Sequence, residues 1–232
     1  MKTVIIHGQN HKGSTYHIAH LVADQLEGEL TEFFLPKDFG EFCTGCTRCF
    51  VDNETKCPHF AKLQSITKAL DEADVMILAS PVYVYHATGA MKALLDHYGY
   101  RWMVHRPEAS MFRKQGVCIT TAAGAGMKST IKDMADSLFF WGVPRIYRLG
   151  KPVAATDWSG VSEKKKQSVR KAANTISKKL IKKQGTVKPG LKTKGFFKIM
   201  RMLQKNGWNE SDVRYWKDMG WLGKKRPWKD TK

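Results

Sequence analysis

The sequence predicts an α/β fold in which helices cover both faces of a doubly wound, five-stranded parallel sheet. Three short apolar runs, at residues 3–6, 75–79 and 116–121, have the length and the β-branched content of buried strands. Each run ends in a loop rich in Gly, Ser and Thr, at 8–15, 80–89 and 120–126. Ligands of such sheets bind beyond the carboxyl ends of the strands, so these three loops predict the binding site.

The elements alternate regularly along the chain. Apolar residues at helical spacing follow each predicted strand, and Ser162 is a suitable N-cap for the last helix of this series. In chain order we expect a strand at 3–6, a helix through Ile18 and Val22, a strand at 30–35, a helix through Leu63 and Leu70, a strand at 75–79, a helix through Met91 and Leu95, a strand at 116–121, a helix through Met127 and Leu138, a strand at 143–149 and a helix over 162–183.

The last fifty residues differ in composition from the rest. Residues 184–192 predict a linker, and residues 195–205 predict a short basic amphipathic helix. Four of the seven tryptophans lie between 208 and 228, and a disordered tail would not carry so many. We therefore expect an α/β domain over 1–183 and a basic, Trp-rich helical extension over 184–232 that docks on its own domain or on a partner subunit.

Positive charge is concentrated in the last third of the chain. Residues 1–150 carry 16 Lys and Arg against 15 Asp and Glu, whereas residues 151–232 carry 23 against 6. The net charge of +18 therefore belongs almost entirely to the second part. A basic surface of this kind attracts acidic proteins, phosphate-bearing ligands, nucleic acids or anionic membranes, although it is also compatible with a solvated helix face.

The chain has no apolar run of the roughly eighteen residues that a transmembrane helix needs. Its first residues enter a strand at once and lack the apolar core of a signal peptide. We therefore expect a cytoplasmic protein, in which cysteines stay reduced. Cys118 lies in an apolar run and is expected to be a core residue.

The first loop has the features of a phosphate site. It joins a buried strand to a helix, and a helix N-terminus offers free backbone N–H groups and the positive end of the helix dipole. Asn10, Ser14 and Thr15 add side-chain hydrogen-bond donors. The loop matches neither the Gly-x-Gly-x-x-Gly fingerprint nor the P-loop, so its sequence alone does not specify a nucleotide class.

Four of the five cysteines form a compact series, Cys43, Cys46, Cys49 and Cys57. Two-residue gaps allow thiolates to surround one [4Fe–4S] cluster, and the Cys57-Pro58 pair is similar to the end of bacterial ferredoxin motifs. Two alternatives stay open. The cysteines could be redox thiols or relics that hold no cluster, or they could bind a structural zinc ion.

The second loop carries a family resemblance. The resemblance lies in the sequence Ala79-Ser80-Pro81-Val82-Tyr83-Val84, which is preceded by Ala73-Asp74-Val75-Met76 and followed by Thr88-Gly89-Ala90-Met91-Lys92. Over roughly residues 1–150 the chain resembles the NADPH-dependent FMN reductase and flavodoxin-like quinone reductase superfamily. The cysteine series at 43–57 resembles the iron–sulfur flavoprotein branch of that superfamily. The closing Gly207-Trp208-Asn209 segment is also similar to a tail of some flavodoxin-like relatives.

The resemblance implies that residues 1–183 are a flavodoxin-like FMN-binding domain. It implies the FMN phosphate at Asn10, Ser14 and Thr15, and the isoalloxazine ring against Pro81, Val82, Tyr83 and Val84. It implies that Thr120, Thr121, Ala122, Gly124 and Gly126 lie along the other edge of the ring. Relatives commonly have an arginine in the first loop, where this chain has His11 and Lys12, either of which could replace its charge.

The resemblance further implies an FMN-dependent NAD(P)H oxidoreductase or electron-transfer flavoprotein, with a [4Fe–4S] cluster as a possible relay. Expected partners are a small-molecule electron acceptor, an acidic electron carrier such as a ferredoxin, and a second or further copies of the chain in a homodimer or homotetramer. The alternative is a non-enzymatic binding module of the same fold that acts on nucleic acid or an anionic membrane through its basic C-terminal surface.

Overall fold

A computed structural model describes residues 1–229 of the chain. The strands are β1 (Lys2–His7), β2 (Glu29–Phe34), β3 (Val75–Ala79), β4 (Gln115–Ala122) and β5 (Arg145–Pro152). The helices are α1 (Ser14–Ala23), α2 (Arg48–Val51), α3 (Phe60–Glu72), α4 (Gly89–His97), α5 (Met127–Phe140), α6 (Glu163–Lys183), α7 (Leu191–Lys205) and α8 (Glu210–Asp218). Short 3₁₀ helices cover Glu54–Lys56, Gly99–Arg101 and Ala109–Arg113.

The five strands are parallel and lie in the order β2-β1-β3-β4-β5. This confirms the predicted doubly wound sheet, including the central position of β1, β3 and β4. The order reverses between β1 and β3, so the crevice of the sheet lies where the loops after these strands separate.

Both faces of the sheet are covered. On one face α3, α4 and α5 bury the side chains of Ile66, Leu94 and Leu138 against the sheet. On the other face α1 and α6 bury Ile18 and Val169. Because residues of β3 such as Met76 and Ile77 point alternately to the two faces, the strand is apolar throughout, as the sequence pattern predicts.

The C-terminal extension packs against its own α/β domain. A separate apolar cluster joins Phe197, Trp216 and Trp221 of the extension to Met103 and Phe112, which lie between α4 and β4. The predicted boundary between 183 and 184 stays a prediction, and the last three residues of the extension, 230–232, lie outside the described part of the chain. None of the helices within residues 1–229 combines the length and the apolar character that crossing a bilayer requires.

Candidate functional site

A cleft of about 250 Å³ opens at the carboxyl edge of the sheet. Four strand-to-helix loops contribute to its walls, as expected when parallel strands end at the same edge. The lining residues are Gln9, His11, Gly13, Ser14, Thr15, Pro81, Val82, Tyr83, Thr121, Ala122, Ala123, Val153, Ala155 and Thr156.

The floor of the cleft is the start of α1. Gly13 is the N-cap residue in an extended conformation, and no side chain caps the helix. The first N–H groups of a helix have no partner within the helix, and because Ser14 and Thr15 line the cleft, these donors are available at its floor. The Ser14 hydroxyl is buried beside them and has no hydrogen-bond partner among residues 1–229. This end of the cleft can therefore accept an anionic group such as a phosphate.

Thr15 connects the first loop to the third. Its hydroxyl lies 2.6 Å from the hydroxyl of Thr121, and both side chains are buried. The two hydroxyls hold the start of α1 against the end of β4, so the phosphate end of the cleft is shaped by two elements at once.

The first and second loops are also fixed to each other. The Thr88 hydroxyl donates to the carbonyl of Gly8 at 2.6 Å, and the Ser80 hydroxyl accepts from the N–H of Thr88 at 3.0 Å. A side chain at position 8 would lie 2.9 Å from the Thr88 oxygen, so only glycine permits this approach. These contacts join the first and second loops on this side of the cleft.

Pro81, Val82 and Tyr83 form a wall of the cleft. The N–H of Val82 donates to the carbonyl of Thr121 at 2.9 Å, which continues the pairing of β3 and β4 into the loops. Tyr83 is half exposed, and its hydroxyl lies 3.4 Å from the side-chain oxygen of Gln9. This wall offers the flat, partly apolar surface against which a planar ring can stack.

A tight turn follows at residues 83–86. Tyr83 and His86 exchange two backbone hydrogen bonds, and Val84 and Tyr85 have φ angles of 46° and 67°. These angles are unfavourable for a β-branched residue, so the turn is strained at Val84. Val84 is 93% exposed and does not line the cleft.

Seven of the twelve residues predicted for the cofactor line the cleft. The other five do not: Asn10 and Gly124 are exposed, Val84 is on the outer turn, Thr120 is fully buried, and Gly126 is the N-cap residue of α5 with a φ of 85°. The roles of all twelve residues stay predictions. His11, expected as a charge in the first loop, lines the cleft, whereas Lys12 lies over the ring of Tyr16.

The fourth wall of the cleft was not predicted from the sequence. Val153, Ala155 and Thr156 belong to the loop after β5. The same rule about carboxyl ends of parallel strands applies to that loop and could have identified it. Gln9, Gly13 and Ala123 were also missed, although they lie within loops that were predicted.

The four clustered cysteines lie around a second, smaller hollow of about 60 Å³. Cys43 and Cys46 are exposed, and Cys49 and Cys57 are partly buried. Burial and, secondarily, the proximity of the other three thiols raise the pKa of Cys49 to about 11. A backbone N–H at Arg48 lowers the pKa of Cys46. The structure thus brings together the four cysteines that the sequence grouped, while Cys118 is fully buried in the core.

Two histidines stand beside these cysteines. The Nδ1 atom of His59 lies 2.9 Å from Nε2 of His97, and Nδ1 of His97 lies 2.7 Å from the carbonyl of Ala93. One ligand atom from each of Cys57, His59 and His97 lies within 4.8 Å of the others. The hollow therefore offers nitrogen as well as sulfur ligands, and the sequence had not indicated this combination.

The C-terminal extension holds the cysteine segment in place. Arg106 donates to the carbonyls of Cys49 and Phe50, and it is paired with Asp212 of α8, which is fully buried. Asp212 also accepts from His105 at 2.7 Å. A further hydrogen bond runs from Ser211 of α8 to the carbonyl of Val51 at 2.8 Å. The extension therefore contributes directly to the geometry of the cysteine hollow.

Comparison with known proteins agrees with this geometry. The family model described as NADPH-dependent FMN reductase matches residues 1–160. An iron-sulfur flavoprotein of Archaeoglobus fulgidus is 27% identical over 235 residues, which cover 96% of this chain and all of the relative. An NADPH azoreductase of a Bacillus species is 33% identical over 113 residues, which cover 47% of this chain and 56% of that protein.

Among solved structures, an FMN-dependent NADH-azoreductase from Bacillus anthracis in complex with FMN has the same fold. Its TM-score is 0.55 at 12% identity, with 76% of this chain and all of that chain covered. A flavone reductase has a TM-score of 0.58 at 14% identity, with 82% of this chain and 66% of that chain covered. With the family match spanning more than half of its length, the chain belongs to the NADPH-dependent FMN reductase family and is an FMN-dependent oxidoreductase with a flavodoxin-like fold.

Proposed function

We propose that this protein takes a hydride from NAD(P)H and passes the electrons to a small electrophilic acceptor, such as a quinone, an azo compound or a free flavin. Bound FMN would supply the redox chemistry of both half-reactions. Support comes from the family match, from relatives named NADPH azoreductase and iron-sulfur flavoprotein, and above all from the cleft at the start of α1.

The Ser14 hydroxyl, which has no hydrogen-bond partner among residues 1–229, is the main observation behind the proposed position of the FMN phosphate. A buried hydroxyl without a partner is costly, and a phosphate oxygen beside the free N–H groups of α1 would satisfy it. Thr15 and Thr121 would hold this end of the cleft in shape, and Pro81, Val82 and Tyr83 would orient the ring against their wall. The loop after β5 would cover the cofactor from the opposite side.

A Ser14→Asp variant tests this placement. The added carboxylate would repel the phosphate at close range, so we expect FMN affinity to fall at least tenfold. Ser162→Asp is the matched control, because Ser162 is also a serine at a helix N-terminus, the N-cap position of α6, but does not line the cleft. Equal FMN affinity of the two variants in a fluorescence titration would contradict the placement.

We also propose that Cys43, Cys46, Cys49 and Cys57 hold a [4Fe–4S] cluster that relays single electrons. All four line one hollow, and the relative that spans this chain end to end is named an iron-sulfur flavoprotein. Sulfur ligands from a compact loop suit such a cluster. Within this proposal an acidic ferredoxin-like carrier is the electron partner, since the basic extension packs against the cysteine segment.

Metal analysis after anaerobic purification tests the cluster. We expect about four irons and four sulfides per chain, as a [4Fe–4S] cluster requires. Cys57→Ser should lose most of the iron, whereas Cys118→Ser, a substitution in the core, should retain it. Stoichiometric zinc with no iron would instead favour the alternative in which the cysteines bind a structural zinc ion, beside which His59 and His97 offer further nitrogen ligands. Protein with neither metal would favour free redox thiols.

The remaining expectations belong to this proposal as well. A cytoplasmic location fits free thiols, which a reducing compartment preserves. Assembly into a homodimer or homotetramer is proposed, with light scattering as the test. The non-enzymatic alternative has no specific structural observation in its favour among the described residues.

A further inference from the structure

Two histidines and a glutamate converge at the β2 edge of the sheet, away from the cysteines. His7 is the last residue of β1, Glu32 lies on β2 and His20 lies on α1, which packs over this face. The ligand atoms of the three side chains all lie within 4.8 Å of one another. Three different elements thus supply the three groups.

The hydrogen bonds in this cluster meet at one atom. Oε2 of Glu32 lies 2.7 Å from Nε2 of His7 and 2.9 Å from Nε2 of His20. Two imidazole nitrogens that face the same carboxylate oxygen can be held there by two protons or by one cation that all three groups bind. The spacing lets a single ion contact each group after small side-chain movements.

A fourth residue orients His20. Its Nδ1 atom lies 3.0 Å from Oδ1 of Asp24, four residues later at the C-terminal end of α1. When Nδ1–H donates to this carboxylate, the lone pair of Nε2 is directed at Glu32. A carboxylate behind a histidine is the usual support of a metal ligand, because it fixes the tautomer and the orientation of the ring.

The surroundings of the cluster favour ligation over solvation. His7 is almost fully buried, and its ring stacks on Phe34 with 4.5 Å between centroids. A buried imidazole has little access to water, so its ring nitrogen depends on the other groups of the cluster for a partner.

We propose that His7, His20 and Glu32 form a binding site for a divalent transition-metal ion such as Zn²⁺, with water as the fourth ligand. Two imidazoles and one carboxylate are a ligand set that suits zinc, and both Glu32 and His20 reach solvent, which leaves room for a water. The ion would fasten α1 to the edge of the sheet, beside the first loop of the cleft.

Cobalt titration tests this site separately from the cysteines. Co²⁺ bound by imidazole and carboxylate gives visible d–d bands without the near-ultraviolet charge transfer of a cobalt thiolate. We expect wild-type protein to bind Co²⁺ at one site with this thiolate-free spectrum. Added Zn²⁺ should displace Co²⁺ from that site. His20→Gln and Glu32→Gln should each weaken Co²⁺ binding at this site at least tenfold.

His17→Gln is the matched control, since His17 also lies on α1 but stacks on Trp158 outside the cluster. Asp24→Asn, an exposed change that leaves all three ligands in place, should weaken binding about tenfold. The Asp24→Asn variant therefore still tests the site if a variant of one of the ligands fails to fold. Absence of a thiolate-free site, or equal Co²⁺ affinity in wild type, His20→Gln and Asp24→Asn, would overturn the proposal. Neither result depends on FMN binding.

Discussion

Asp212 links the extension to the cysteine segment through Arg106, which also donates to the carbonyls of Cys49 and Phe50. It is fully buried, and its partners are Arg106 and His105. Removing one member of a buried ion pair leaves the other charge without compensation. We therefore predict that Asp212→Asn lowers the free energy of unfolding by about 3 kcal/mol or more.

Denaturant unfolding followed by tryptophan fluorescence measures this loss. Asp218→Asn is the matched control, because Asp218 lies on the same helix and is exposed. It should change the free energy of unfolding by less than about 0.5 kcal/mol. A similar small effect of both substitutions would show that the buried pair does not stabilise the fold.

Lys114 should make the free energy of unfolding change with pH in the alkaline range. The side chain is buried, and its Nζ donates to the carbonyls of Asp71 and Ala73 at 2.6 Å each. Burial lowers its pKa from 10.5 to about 8. Between these two values the folded chain has released the proton that the unfolded chain still binds, so stability rises with pH.

The prediction compares Lys114→Met with wild type. From pH 8 to pH 10 the free energy of unfolding of wild type should gain up to about 2 kcal/mol relative to the variant. Lys178→Met, at an exposed position of α6, should follow wild type. Parallel pH profiles of wild type and Lys114→Met would contradict the lowered pKa.

At the scale of residues, the sequence predicted those contacts that strand order determines. Ser14, Val82 and Thr121 meet in the cleft because parallel strands end at one edge. The pairs Arg106–Asp212 and His59–His97 join residues 106 and 38 positions apart, and no local pattern marks them. Such contacts depend on how the helices and loops pack, and the spacing of residues along the sequence does not predict that packing.

At the scale of elements, α7 shows how the extension is held. Phe197 is buried, and its ring contacts Trp216, Trp221 and Phe112 at centroid distances of 4.7, 5.6 and 5.6 Å. Phe197→Ala would leave a cavity at the centre of this cluster. We predict a loss of about 3–5 kcal/mol in the free energy of unfolding.

Ile199→Ala is the control for this prediction. Ile199 lies on the same helix but faces solvent, so its truncation should change stability by less than about 0.5 kcal/mol. Chemical denaturation of both variants checks the comparison. If Phe197→Ala were as stable as Ile199→Ala, the extension would not be docked as described.

The sequence pattern predicted the regular elements well and the irregular ones poorly. All five strands occur within three residues of the predicted starts and ends, since their apolar runs are unambiguous. The 3₁₀ helices at 99–101 and 109–113 were not predicted. They are too short for a periodic signal, yet the second of them carries part of the surface on which the extension packs.

At the scale of the whole molecule, charge is divided between two regions. The basic balance of residues 151–232 should steer an acidic electron carrier toward the chain. We predict that the rate of electron transfer from an acidic ferredoxin falls steeply as salt is added, because salt screens long-range attraction. Reduction of an uncharged quinone should change little. Equal salt dependence of the two reactions would exclude steering.

The binding of FMN at the start of α1 is the claim on which the proposed function depends. It is tested most directly by titrating the purified chain with FMN and with riboflavin, which lacks the phosphate. We predict one FMN per chain and at least tenfold weaker binding of riboflavin, because in the proposed placement only the phosphate of FMN would bond to the Ser14 hydroxyl and the free N–H groups of α1. Equal affinity for the two flavins, or no binding of FMN, would contradict this claim.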